Sequence, residues 1–351
     1  LTHGRLSNYE KASAALRDGI CDYAVIGRGL IADPDMPNKL AEGRPEDILP
    51  CISCNEGCIG SVLKGVHLRC ALNPYAGFED ERKAPAAETP KRVLVVGGGP
   101  GGCTAALLAK QAGHEVELWE RSGTIGGKTL AASAPYMKAD MLRLPNYYNV
   151  QLIKAGVPVR FFKEANRETV AEFAPDVLIW AAGGDVVRPK SIPGLDRSNV
   201  YSCEEALRNY VPLGKHLAII GGGQVGIEAA IHFNTVGHDV TVVEMADKLM
   251  PDPPFVQNAN VLKELMAAGT GTYLTGTKLV EVDAEGIVVE TAEGKRHIDC
   301  DTVLLAMGWA PDASRGEELS DICRVIPVGD SSKCRNILAA TTEAYEAVAS
   351  I

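Results

Sequence analysis

Two stretches of the chain carry the same pattern of apolar and polar positions. Residues 93–120, VLVVGGGPGGCTAALLAKQAGHEVELWE, align without gaps to residues 217–244, LAIIGGGQVGIEAAIHFNTVGHDVTVVE, and ten of the 28 positions are identical. Each copy starts with a continuous apolar run, VLVV or LAII, which suits a strand buried on both faces of a parallel sheet. A glycine turn, a helix of about three turns, a Gly-His pair, a second strand and a terminal Glu follow. The pattern is a β-α-β unit written twice.

The rest of the chain is less periodic. KASAALRD, residues 11–18, predicts a helix, and CDYAVIGRG predicts a strand from Asp22 to Ile26 ending in a glycine turn. DPDMPNKLAEG predicts a turn and a short helix. VLIWAAGG (177–184) and VGD (328–330) add two strand-plus-turn sites. Residues 77–92 are charged and rich in Pro and Ala, which predicts a linker.

Length and composition then narrow the classes. A chain of 351 residues predicts two or three domains, and 46% hydrophobic residues are enough for packed cores. The net charge of -10, with no basic stripe, argues against nucleic acid or an anionic membrane as partner. No run of about 18 apolar residues exists, so no membrane span is expected. The start, LTHGRLSNYE, lacks the basic and apolar regions of a signal peptide, and a cytoplasmic, reducing location is the expectation. It also lacks an initiator Met, which suggests a fragment or a processed subunit.

Four of the ten cysteines cluster: CISCNEGCIGSVLKGVHLRC, residues 51–70, has the spacing C-x2-C-x3-C-x11-C. Cys51, Cys54, Cys58 and Cys70 are candidate metal ligands, and the segment should be mostly loop. Zinc sites of four cysteines usually pair two short knuckles. Three cysteines on one loop with a single distant partner suit a [4Fe–4S] cluster better, with zinc and a redox disulfide as the alternatives. Cys21, Cys103, Cys203, Cys300, Cys323 and Cys334 are scattered and read as small buried hydrophobes.

Each repeat contains G-x-G-x-x-G: Gly97, Gly99, Gly102 and Gly221, Gly223, Gly226. The first glycine makes the turn, the second lets backbone approach a pyrophosphate, and the third lets helix and strand pack closely. The helix N-terminus then offers free N–H groups and the positive end of its dipole to the phosphates. Glu120 and Glu244 each lie 23 residues after the first glycine, where an acid accepts hydrogen bonds from ribose hydroxyls. Two dinucleotide sites are therefore expected. Glu244 repels a 2′-phosphate and no Arg follows it, so NADH is favoured over NADPH. His114 and His238, in the two Gly-His pairs, read as structural.

The glycine pair Gly126 and Gly127, together with Gly183 and the VGD turn, makes the arrangement resemble the two-dinucleotide-binding flavoproteins. That resemblance implies FAD in the first unit, held also by Gly126, Gly127, Gly183, Gly329 and Asp330, and NAD(P)H in the second. With CISCNEGC…C placed before them, the order of parts resembles the NADH:flavin oxidoreductases of the 2,4-dienoyl-CoA reductase, 2-enoate reductase and trimethylamine dehydrogenase family. ALRDGICDYAVIGRGLIADPDMP resembles the last strand and loop of that family's Old Yellow Enzyme-like barrel, which implies that Gly27 and Arg28 help hold an FMN phosphate. The implied fold class is α/β: the end of a TIM barrel (1–48), a cluster segment (49–76), a linker (77–92), an FAD domain (93–187 plus 310–351) and an NAD(P)H domain (188–309). A full (β/α)8 barrel takes about 250 residues. The FMN site and the substrate pocket would therefore lie mostly outside this chain, in a missing segment or a partner chain.

The implied activity passes electrons from NAD(P)H through FAD and the cluster to FMN, to reduce an activated C=C bond in a small enoyl-CoA, enoate or enone. The alternatives are an amine dehydrogenase running electrons outward to an external acceptor, and a diaphorase or electron-transfer subunit. A homo-oligomer is compatible with either. Two departures from the family pattern stand out: Lys128, where the family commonly has Gln, and Ala344, where a glycine often precedes the aromatic residue.

Overall fold

The computed structural model describes residues 1–251 and 256–351, with backbone only at 256–258. The chain divides into two compact units. The first holds residues 1–130, 140–184 and 311–351; the second holds 131–139 and 185–310.

In the first unit a five-stranded parallel sheet runs in the order Arg324–Pro327, Val177–Trp180, Arg92–Val96, Glu115–Glu120, Val159–Phe161. Its central strand is the apolar run of the first repeat, and Val93, Leu94 and Val95 are fully buried, as a strand covered on both faces must be. Helix Pro100–Gln111 follows it, with Pro100 at the first helical position where the missing N–H costs nothing. Helix Ile337–Ala349 packs along that helix.

The second unit repeats the design. Its parallel sheet runs Val200–Ser202, Thr302–Leu305, His216–Ile220, Asp239–Val243, Thr272–Leu274. Helix Gln224–Thr235 follows the central strand, with Ala229, Ala230 and Phe233 buried. An antiparallel three-stranded sheet, Lys278–Val282, Gly286–Thr291 and Gly294–Asp299, completes it. The segment Ala131–Ala139 belongs to this unit although it interrupts the first. Ala131 and Met137 pack in the same core as Ile219 and Ile227.

Both long helices end alike. Gly113 and Gly237 adopt φ of 99° and 101°, a left-handed turn that side chains resist. The N–H groups of His114 and His238 then reach back to Ala109 O and Phe233 O, at 3.1 and 2.9 Å. His114 is buried, and its Nδ1 accepts the Lys91 N–H at 3.2 Å.

Two local readings change. The strand expected at Asp22–Ile26 reduces to one parallel bridge, Thr2 to Ala24. A strand needs partners along its length, and Ile20, Tyr23 and Val25 are exposed at 71%, 69% and 46% instead of paired and covered. Of the six scattered cysteines, Cys103, Cys203 and Cys300 are buried, but Cys21, Cys323 and Cys334 are only partly so, because each lies in an irregular or edge segment without cover on every side.

Ile219 is fully buried at the centre of the second sheet. Ile219→Ala is expected to cost about 2–5 kcal/mol in urea unfolding of that sheet. A loss below about 1 kcal/mol would contradict this account of the core.

Candidate dinucleotide sites and a cysteine cage

The two glycine loops have the same geometry down to single contacts. A methyl group added at Gly102 would lie 1.9 Å from Gly97 O, and one at Gly226 would lie 1.9 Å from Gly221 O. Each helix therefore starts against the end of its strand, a distance only glycine permits. The middle glycines, Gly99 and Gly223, face open space, with no atom within 4 Å of an added Cβ. Each caps its helix in an extended conformation without a side-chain cap. The first-turn N–H groups thus face an open cradle that fits a pyrophosphate.

The acids also match. Gly98 N–H donates to Glu120 Oε2 at 2.6 Å, and Ser122 N–H to its Oε1 at 2.7 Å. In the second copy Gly222 N–H donates to Glu244 Oε2 at 2.6 Å, and Ala246 N–H to its Oε1 at 2.7 Å. Each carboxylate is thus fixed at the loop, beside the cradle, where a ribose would sit.

Around the first loop the structure gathers the remaining sequence candidates. Gly126 N–H donates to Gly98 O at 2.8 Å. A Cβ at Gly127 would lie 3.1 Å from Gly99 Cα. Gly183, at φ 89°, donates its N–H to Ser331 Oγ at 2.9 Å. Gly329 N–H donates to Glu343 Oε2 at 2.7 Å, and Asp330 pairs with Lys128 at 3.0 Å.

The four clustered cysteines line one narrow recess of about 20 Å³ with Arg28, Ile31, Ile52, Asn55, Gly57, Ala71 and Leu72. All four are free thiols. Among the described residues no three His, Cys, Asp or Glu side chains converge tightly enough to hold a metal ion. Two residues between the thiols, Ser53 and Asn55, are left-handed at φ 57° and 63°. Arg69 N–H donates to Gly57 O at 2.6 Å, and a side chain at Gly57 would collide with Arg69 O, so this crossing needs glycine. The crossing carries Cys70 back to the loop that holds the other three. The segment is not all loop: Ile59–Leu63 forms a short helix. Burial pushes the Cys54 thiol up to about 12 and raises Cys70 as well. Thiolates there need a positive group to hold them, which is what a metal cluster supplies.

Gly27 and Arg28 stand at a second recess, of about 330 Å³, lined also by His3, Gly4, Arg5, Leu6, Ser7, Val25 and Ile26. Arg28 lines both recesses, and its Nη1 donates to Asn55 Oδ1 at 2.5 Å. The sequence offered no sign of that tie, which spans 27 positions.

Two other groupings escaped sequence reasoning. Glu228, buried in helix Gln224–Thr235, accepts from Gln224 Nε2 at 2.8 Å and pairs with Lys138 at 2.7 Å. The i,i+4 spacing of Gln224 and Glu228 was readable, but Lys138 lies 90 positions away. Likewise nothing in the sequence announced that Lys128 pairs with Asp330.

A doubled β-α-β fold with two such cradles defines a two-dinucleotide oxidoreductase. The family model for pyridine nucleotide-disulphide oxidoreductases matches residues 91–321, and the chain belongs to that family. It is 33% identical over 354 residues to cinnamate reductase of Clostridium sporogenes, covering 100% of this chain and 53% of that protein. It is 35% identical over 345 residues to bilirubin reductase of Mediterraneibacter gnavus, covering 97% and 53%. A solved structure of 2-naphthoyl-CoA reductase with 2-naphthoyl-CoA superposes with a TM-score of 0.94 at 32% identity, covering 99% of this chain and 53% of that one. The chain thus spans about half the length of the curated relatives it matches.

Gly102→Ala and Gly226→Ala are each expected to weaken nucleotide binding at their own loop about tenfold or more, because the helix start must move. Equilibrium dialysis of each variant against FAD and NADH checks this. Equal losses of both nucleotides in either variant would contradict two separate cradles.

Proposed function

We propose that the chain is the nucleotide- and cluster-bearing part of an iron–sulfur flavoprotein reductase that uses NADH to reduce an activated C=C bond. The observation that carries this reading is the coexistence, in one chain, of two matched glycine loops and four free cysteines lining one recess. The relatives named above are a cinnamate reductase, a bilirubin reductase and a 2-naphthoyl-CoA reductase, which supports reduction as the direction.

The assignments follow the resemblance to the two-dinucleotide-binding flavoproteins. Gly97, Gly99, Gly102, Glu120, Gly126, Gly127, Gly183, Gly329 and Asp330 would hold FAD. Gly221, Gly223, Gly226 and Glu244 would hold NADH, and the Glu244 carboxylate would disfavour a 2′-phosphate. Cys51, Cys54, Cys58 and Cys70 would hold a [4Fe–4S] cluster. Three cysteines on one loop with a single distant partner suit such a cluster better than zinc, whose four-cysteine sites usually pair two short knuckles. Gly27 and Arg28 would meet the phosphate of an FMN carried mainly by residues outside this chain; three basic side chains, His3, Arg5 and Arg28, line that recess.

When bound, these groups supply hydride acceptance at one end and one-electron relay at the other, with the protein setting distance and orientation. This chain's own task is to fix the phosphates on two helix N-termini and to keep the cluster in an apolar wall of Ile31, Ile52 and Leu72. The intact loop from Gly221 to Glu244 favours NADH as donor over the amine-oxidising direction, which has no need of it.

Under argon, NADH is expected to bleach the flavin of the purified protein; an unchanged flavin spectrum would refute the reductase reading. Iron and acid-labile sulfide are each expected at about four per chain. Zinc without sulfide would refute the cluster. Cys58→Ala is expected to leave flavin bleaching by NADH intact and to stop electron transfer beyond it. Full onward transfer in that variant would remove the relay role.

A further inference from the structure

The cysteine loop passes twice through left-handed backbone, at Ser53 with φ 57° and at Asn55 with φ 63°, one residue on either side of Cys54. Side chains resist that conformation, and it persists where the surroundings hold it. Both residues are held from outside the loop. Arg28 Nη1 donates to Asn55 Oδ1 at 2.5 Å. Ser53 Oγ donates to Asp140 Oδ2 at 3.0 Å, and the same oxygen pairs with the Arg5 guanidinium. Arg5 is itself left-handed, at φ 51°. Of the seven left-handed residues other than glycine among the described ones, three therefore belong to this one network, so backbone strain is concentrated beside Cys54.

The two arginines also belong to the second recess. Arg5 and Arg28 line it together with His3, and Arg28 lines the cysteine recess as well. The groups that fix the turn at Cys54 are thus the groups that make the second recess basic. A guanidinium carries five N–H donors in a planar fork. The bond to Asn55 uses Nη1, so an anion in the recess can be gripped by the other donors while that tie stays in place. Gripping an arginine removes rotamer freedom from its side chain, and the turn it holds stiffens with it. A ligand that orders a shared element lowers the cost of ordering it for the other site, and such coupling is equal in both directions.

We propose that Arg5 and Arg28 couple the two recesses. A phosphate group bound in the second recess locks the turn at Cys54, and a group held by the cysteines strengthens phosphate binding in return. The arginines act as positioning residues, one through Asn55 and the other through Asp140 and Ser53. This rests on the reading of the second recess as the seat of a flavin-nucleotide phosphate.

The test reads Cys54 directly. The purified chain is labelled with iodoacetamide under argon, in inorganic phosphate or in potassium chloride of the same ionic strength. Peptide mass spectrometry gives the labelling rates of Cys54 and of Cys334, which lies outside the cysteine recess. Calorimetry measures phosphate binding in the same samples. Phosphate is expected to slow labelling of Cys54 about fivefold or more and to leave Cys334 within about twofold. Asn55→Gly removes one tie and tolerates left-handed backbone. It is expected to bind phosphate within about threefold of the parent and to lose part of the protection at Cys54. Asn55→Gly together with Ser53→Gly cuts both ties and should abolish the protection while phosphate still binds.

Phosphate binding with no change at Cys54 in the parent overturns the proposal and leaves the recess reading standing. Absence of phosphate binding overturns both. Equal slowing at Cys54 and Cys334 is a general salt effect and overturns the proposal. A Cys54 that stays unlabelled without phosphate needs no lock, and overturns it too. Full protection in the doubly substituted variant does the same. Should that variant fail to fold, Asn55→Gly alone decides, and undiminished protection there overturns the proposal.

Discussion

The contact between the third glycine of each loop and the carbonyl of the first fixes the rest of the architecture. At 1.9 Å from an added methyl group, neither Gly102 nor Gly226 can be anything larger while the helix starts where it does. That start aims the first-turn N–H groups outward at Gly99 and Gly223, where there is open space. It also brings the loop within 2.6 Å of the acid that ends the second strand, Glu120 in one copy and Glu244 in the other. The open loop, the fixed carboxylate beside it and the close seat of helix on strand thus go together with one close approach, made twice.

The cysteine cage depends on a similar approach. Backbone crosses backbone at Gly57 and Arg69, which returns Cys70 to its three partners. The cage is then anchored within the unit that carries the first nucleotide loop: Thr341 Oγ1, on helix Ile337–Ala349, donates to Ala71 O at 2.8 Å. That helix packs on the helix whose N-terminus forms the cradle. A short chain of contacts therefore joins the cysteine segment to the helix that starts at the first glycine loop. Desolvation raises the Cys54 thiol, and Cys70 with it, so neither is a ready thiolate on its own.

How much of this was legible in the sequence depended on how local the signal was. The doubled unit was legible in detail because every part of it, apolar run, glycines, Gly-His turn and acid, recurs at one spacing. The cysteine spacing announced a cage but not its wall, since Arg28 and Leu72 enter from different parts of the chain. The strand expected at Asp22–Ile26 has the right composition, but strand formation is a property of neighbours, and among the described residues only Thr2 offers one. The assignment of Ala131–Ala139 to the second unit was not legible, because its few apolar residues gain their meaning only from the core that Ile219 and Ile227 build. Lys128 drew notice as a departure, yet its partner Asp330 lies 202 positions away.

The most direct test of the central claim, that two matched cradles hold two different nucleotides, is a crystal structure of the protein grown with FAD and NADH. The account predicts the FAD pyrophosphate on the N–H groups following Gly99, with its ribose on Glu120. It predicts NADH on those following Gly223, with its ribose on Glu244. The same nucleotide in both loops, or FAD in the second, would contradict it.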